Sequence, residues 1–166
     1  MTFKSALKVG KKGEMHFLSV LEENNIAAVL NEQKKKFADY DIECKLGRTK
    51  FTVEIKYDLM AEKTENIAIE YYNSSTAESS GMDSTKADLW GHIIPDGKSL
   101  QCFLTSVKLL KGFVKKNKPF KKIAKAGDGN ASLYLYRTNV ILPAIFKDIS
   151  NLTESQLKKL IKLLLK

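Results

Sequence analysis

From Asp39 to Tyr57 the chain alternates polar and apolar residues across a turn centred on Gly47, and this stretch limits the fold more than any other. Side chains in a strand have period two, so Phe51, Val53, Ile55 and Tyr57 share one face while Thr52, Glu54, Lys56 and Asp58 share the other. On the preceding run Asp39, Asp41 and Glu43 face one way and Tyr40, Ile42 and Cys44 the other. If both apolar faces meet one core, the hairpin gathers its acids beside Glu54 and Lys56. Like charges so placed repel each other, and a hard divalent cation such as magnesium would turn that repulsion into binding.

Around the hairpin the periodicities predict a mixed α/β chain. A helix is expected from about 11 to 24, with Glu14 near its apolar side, and the stretch 24–36 is ambiguous between loop, short helix and strand. A third strand follows at 66–72, where Glu70 falls on the face of Ala68 and Tyr72. Residues 73–90 read as loop, with a short helix from Ser84 or Thr85. Two strands, 89–94 and 100–106, flank a turn at Pro95, Asp96 and Gly97. A helix interrupted near Pro119, a strand over 132–141 and a final helix complete the chain. Thr153 and Gln156 form a capping-box pattern before that helix, and Leu157, Leu160, Ile161, Leu164 and Leu165 form its apolar stripe.

At 166 residues, with no linker or internal repeat, one domain is expected. No apolar run approaches the roughly 20 residues of a membrane span, and the N-terminus lacks signal-peptide organisation, so the expected location is the cytoplasm, without membrane contact. Cys44 and Cys102 lack metal-site spacing, and His16 and His92 lack the company of other ligands. Twenty-eight basic against 19 acidic residues give a net charge of +9, which favours a polyanionic partner. Eight lysines, Lys108, Lys111, Lys115, Lys116, Lys118, Lys121, Lys122 and Lys125, fall within 108–125 without one acid. Such a run suits a solvated helix face or a phosphate-binding surface. Lysine lacks the bidentate fork of arginine, so it offers affinity more than base readout.

Asp41, then Glu54-x-Lys56 after a turn, with Glu14 on an earlier helix, resembles the PD-(D/E)XK nuclease superfamily. The resemblance spans roughly 11–94 and implies a restriction-endonuclease-like core: a helix, a three-stranded meander, a helix and a further strand, here followed by a lysine-rich C-terminal part from about 105 to 166. The segment 51–90, with its E-x-K strand, a strand containing Glu70, and Thr85-Lys86-Ala87-Asp88, is similar to small nucleases encoded by bacteriophages. Ala38-Asp39-Tyr40-Asp41 replaces the usual Pro-Asp, which leaves Asp39 as an alternative to Asp41.

The resemblance implies a magnesium- or manganese-dependent DNA nuclease, expected to be an endonuclease of the host cytoplasm used in DNA processing or recombination. Asp41 and Glu54 would ligate the cation with the Ile55 carbonyl, and Glu14 would complete or steady the shell. Lys56 would act on the attacking water or the phosphoryl charge. Glu70 could be a further ligand or supporting acid, and Lys86 a phosphate contact beside the eight lysines of 108–125. Glu14 and Glu70 also suit solvated positions, on a first helical turn and a strand face. Duplex or branched DNA is the expected substrate, with RNA an open alternative. A Holliday junction resolvase of this type is expected to dimerise. A non-catalytic basic nucleic-acid-binding protein is the competing reading.

Overall fold

The computed structural model describes residues 3–31, 39–126 and 130–166. Part of the ambiguous stretch, 32–36, and Ala38 lie outside the described residues. The chain runs through α1 (Phe3–Glu23), β1 (Ala27–Leu30), β2 (Ile42–Leu46), β3 (Thr49–Tyr57), α2 (Ala61–Thr64), β4 (Asn66–Asn73) and β5 (Glu78–Ser79). It continues through β6 (Leu89–Asp96), β7 (Ser99–Ser106), α3 (Val107–Lys116), β8 (Lys121–Ala126), β9 (Ala131–Arg137), α4 (Thr138–Ile145), β10 (Lys147–Asp148) and α5 (Glu154–Leu164).

A six-stranded mixed sheet, ordered β1-β2-β3-β6-β7-β10, forms the centre. The hairpin pairs as its alternation requires, Ile42 opposite Val53 and Cys44 opposite Phe51, closed by Gly47 at φ +63. β6 lies parallel to β3, with Glu54 beside Trp90 and Lys56 beside His92, and antiparallel to β7. The stretch 27–30 resolves as strand, so the meander is β1-β2-β3. The strand at 66–73 joins a second, antiparallel sheet ordered β5-β4-β9-β8. The crossover from β3 to the parallel β6 thus carries α2, β4 and β5.

The two faces of the central sheet have separate cores. Phe17 and Leu21 of α1, and Leu157 and Ile161 of α5, pack with Ile42, Val53, Ile55, Leu89 and Leu104 on one face. On the other, Trp90, Ile94 and Phe103 pack with Ile67 and Ile69 of β4, Tyr136 of β9, and residues of α3 and α4. The C-terminal third is therefore part of both cores. α5 carries the expected capping box, with Thr153 and Gln156 bonding reciprocally.

Three expectations change. α1 begins at Phe3, well before residue 11. No helix starts at Ser84 or Thr85: the Thr85 hydroxyl accepts from the Ala87 amide at 3.2 Å and is directed at Asp39 and Glu54, and the chain passes into β6 at Leu89. The strand expected to reach 141 stops at Arg137, where its partner β4 begins. There Thr138 turns away, its amide and hydroxyl both donating to the Glu65 carbonyl, and α4 starts. No helix among the described residues is long and apolar enough to cross a membrane.

Candidate active site

β3 is nine residues long and β2 five, so the C-terminal end of β3 runs on past its neighbour. Asp41 stands at that step. Its amide donates to the Val53 carbonyl at 3.0 Å and its carbonyl accepts from Asn31 at 2.8 Å, so its backbone is fixed on both sides. Its side chain then takes the place of missing strand: Oδ2 accepts from the Ile55 amide at 2.7 Å. The carbonyl of a strand residue leaves on the same side as its amide, so the Ile55 carbonyl is directed toward the Asp41 side. Extending the register by one residue sets Asp41 opposite Glu54.

α1 closes the step from the other side. Gly13 lets the helix lie directly on β3, for a methyl group there would come within 2.7 Å of Tyr57 Cβ. The next residue, Glu14, pairs with Lys11 at 3.7 Å and lies within electrostatic range of Asp41. From the second sheet, Glu70 reaches Lys56 Nζ at 3.3 Å. Glu70 is itself held by the Ser80 hydroxyl at 2.7 Å and by Gly81. Gly81 has φ +51, and a methyl group there would meet the Glu70 carbonyl oxygen at 2.6 Å. Thr85, buried in the loop before β6, donates its hydroxyl toward Glu54 Oε2 or the Asp39 carbonyl, each at 3.2 Å.

The electrostatics follow from this crowding. Burial first, then the adjacent Asp41 charge, push the Glu54 carboxyl up to about 8, against the pull of Lys56 and the Thr85 hydrogen bond. Burial also raises Asp41, outweighing the Ile55 amide and the charges of Lys56 and Lys11. Glu14 is raised by burial and by Asp41, with Lys11 opposing. For Lys56 burial pulls downward, but Glu70, Glu54 and Asp41 outweigh it and the ammonium holds its proton more tightly than an ordinary lysine.

Asp41, Glu54, Lys56, Glu70 and Glu14 are thus one electrostatic cluster, whereas Asp39 is half exposed and pairs with Lys86 at 3.2 Å. Lys86 is 74% exposed and outside the cluster. Sequence reasoning missed Lys11, Ser80 and the site role of Thr85. Lys11 sits three residues before Glu14, a helical pairing distance, and was the readable signal of the three.

The eight lysines expected to meet DNA lie along α3, the turn after it and β8. Lys115, Lys116, Lys118, Lys121 and Lys122 surround the end of α3 and the start of β8. Lys108 and Lys111, on the first turns of α3, instead border a cleft shared with Asp88, Leu164 and Leu165. At 1.5 Å per residue, Lys108 lies about 10 Å along the α3 axis from Lys115. Lys125 is also apart, in the irregular stretch between Ile123 and Ala126 of β8, with φ +59.

Among the described residues, no three carboxylate, histidine or cysteine side chains converge enough to enclose a metal ion by themselves. Two carboxylates and a strand carbonyl facing one step make a different kind of donor set. It suits a magnesium-like ion that keeps water or substrate oxygens in its remaining positions.

Beneath the cluster, Asp58 accepts from the amides of Ala68 at 2.9 Å and Met60 at 3.2 Å. Its Oδ2 lies 3.5 Å from Nε2 of the fully buried His92, whose Nδ1 accepts from the Trp90 indole at 3.3 Å. Cys44 and Cys102 are buried free thiols, both pushed up to about 12 mainly by burial.

No family model matches the chain, and no curated protein matches it. Among solved structures it is similar to Hjc, a Holliday junction resolvase from the archaeal hyperthermophile Archaeoglobus fulgidus. Identity is 14%, the match covers 75% of this chain and 88% of that chain, and the TM-score is 0.39. A likeness this distant assigns neither activity nor residue roles.

Proposed function

We propose that the protein is a magnesium-dependent nuclease that hydrolyses phosphodiester bonds in DNA. The observation that carries this reading is the Asp41–Glu54 pair at the end of β2, two crowded carboxylates whose mutual repulsion helps Glu54 keep its proton up to about 8, with the Lys56 ammonium alongside. A purely structural pair of acids would be better paired or better solvated. Asp41, Glu54 and the Ile55 carbonyl would hold the cation, and Glu14 would steady that group from α1. Bound there, magnesium would supply positive charge against the phosphoryl oxygens. Lys56, anchored by Glu70, is fixed where an ammonium can orient a water or face charge growing on phosphorus. Asp39 and Lys86 form an exposed pair beside the site, which supports Asp41 as the ligand and leaves Lys86 as a rim contact for phosphate.

The finer reading, an endonuclease of DNA processing or recombination encoded by a phage and acting on branched DNA, is part of the same proposal. A junction resolvase would have to act as a dimer, since two opposed strands are cut. Purified protein is incubated with supercoiled, linear, single-stranded and four-way-junction DNA, with magnesium, manganese or chelator. Cleavage is expected with the metals and absent in chelator. Glu54→Ala and Lys56→Ala are expected to lower the rate at least about a hundredfold, the scale of removing one transition-state contact, while DNA retention persists. Wild-type rates in both variants would reject the site. Salt-sensitive binding without cleavage under any condition would favour the non-catalytic reading instead.

A further inference from the structure

A groove of about 540 Å³ opens between the C-terminal end of α3 and the β8–β9 hairpin. Five lysines line it (115, 116, 118, 121 and 122) together with Phe120, Tyr134 and Tyr136, and among the described residues no acid does. Its floor is rigid: buried Tyr136 donates its hydroxyl to the Asn117 carbonyl at 2.9 Å and meets Phe113 edge-on. Its walls present aromatic rings to cations. Lys122 Nζ lies 5.2 Å from the centre of the Tyr134 ring, and the Arg137 guanidinium lies 3.9 Å from that of Phe120. Phe120 is 57% exposed, an unusual position for a phenylalanine amid charge.

Beside the groove, Tyr134 stacks on Tyr71 of β4 at 4.0 Å and 9°.

We infer that this groove binds an unpaired stretch of a nucleic-acid strand, with lysines on its phosphates and the exposed Phe120 ring against a base. The inference rests on the nuclease reading for its substrate and narrows that substrate to nucleic acid with single-stranded segments, such as tails, flaps or open junctions. Closely spaced ammonium groups and aromatic faces match the alternating phosphates and bases of a strand. A duplex buries its base faces in its own stack and would use only the lysines. An acidic peptide would use the lysines and leave the exposed part of the Phe120 ring in water.

The test is binding of the full chain in chelator, so that cleavage does not intrude, to blunt duplex, the same duplex with a thymidine tail, and thymidine and uridine oligomers. Polyglutamate of matched charge serves as competitor. Wild type is expected to prefer tailed over blunt duplex, and Phe120→Leu to reduce that preference about tenfold. Phe120→Trp should keep it, with indole emission quenched by the oligomer. The thymidine and uridine arms establish which sugar the groove accepts. The inference is overturned if Phe120→Leu leaves the preference intact, if the Phe120→Trp emission is unmoved at saturation, or if polyglutamate competes as well as the oligomer. The same preparations are assayed for cleavage with magnesium. Phe120-dependent binding without cleavage removes the nuclease reading and keeps the groove, whereas cleavage with no Phe120 effect removes the groove alone.

Discussion

Glu54 and Asp58 stand four residues apart on one face of β3 and its continuation, and their environments act on them in opposite directions. Glu54 is raised from 4.5 to about 8, so the folded chain holds this proton more tightly than the unfolded chain does. Its contribution to stability is complete below the unfolded value near 4.5 and is lost as pH rises toward 8. In chelator the melting temperature is expected to fall across that window, and Glu54→Gln, which cannot ionise, should flatten the fall. Added magnesium should then stabilise wild type at pH 8 more than the Gln variant. Superimposable melting curves for the two proteins across the window would contradict this account. Asp58 behaves the other way. Burial pushes it up, but His92 and the amides of Ala68 and Met60 outweigh burial and hold it below 3.8, so its stabilising share is present above that value and lost as pH falls through its folded pKa. Asp58→Ala leaves two amides without their acceptor and removes the carboxylate 3.5 Å from the buried His92 imidazole, and should cost about 3 kcal/mol in urea unfolding. A loss below about 1 kcal/mol would mean water replaces the carboxylate. The alternation of β3 made Asp58 readable as a polar-face residue, but its burial depends on β4 approaching from a second sheet, which no local pattern announces.

At the scale of elements, the step between β2 and β3 creates the candidate site, and the glycines on either side hold the neighbouring elements against it. Gly81 serves two needs at once: a positive φ that other residues adopt at a cost, and contact with the Glu70 backbone too close for any side chain. Gly81→Ala is therefore expected to cost about 2 kcal/mol or more and to shift Glu70 away from Lys56. If the proposed reaction operates, its rate falls with this substitution although the position lies outside the catalytic cluster. A variant of wild-type stability and rate would show that the loop absorbs the methyl group freely. The hairpin, the acids on it, and α5 with its cap were legible because each rests on local periodicity or on one turn. The second sheet was not. Residues 66–72 read correctly as a strand, but only long-range pairing with 131–137 sends that strand to another layer. The same pairing ends at Asn66 and Arg137, which explains why 138–145 turns helical where the strand was expected to run on to Ile141.

Over the whole molecule, the surplus of +9 is unevenly placed. The acids that matter are drawn together at the step in the central sheet, while α3, its following turn and β8 carry the acid-free lysine run. Linear sequence showed that run as a block. In the fold α3 packs Val107 and Leu110 inward and β8 forms an edge of the second sheet, and five of the run's cations line the groove between these two elements. A surface of this kind binds a phosphate backbone mainly by releasing counterions, and duplex affinity should fall linearly on a log–log plot against salt. Each lysine that neutralises a phosphate contributes about 0.9 to the slope. Replacing Lys115, Lys118 and Lys122 together with glutamine is therefore expected to reduce the slope by up to about 2.7, with similar losses for unrelated duplex sequences. Lys56, paired with Glu70 inside the acidic cluster, should change the slope little when substituted, because its charge is already balanced by protein carboxylates. An unchanged slope in the triple variant, or a large change in Lys56→Ala, would place the phosphate path away from α3 and β8.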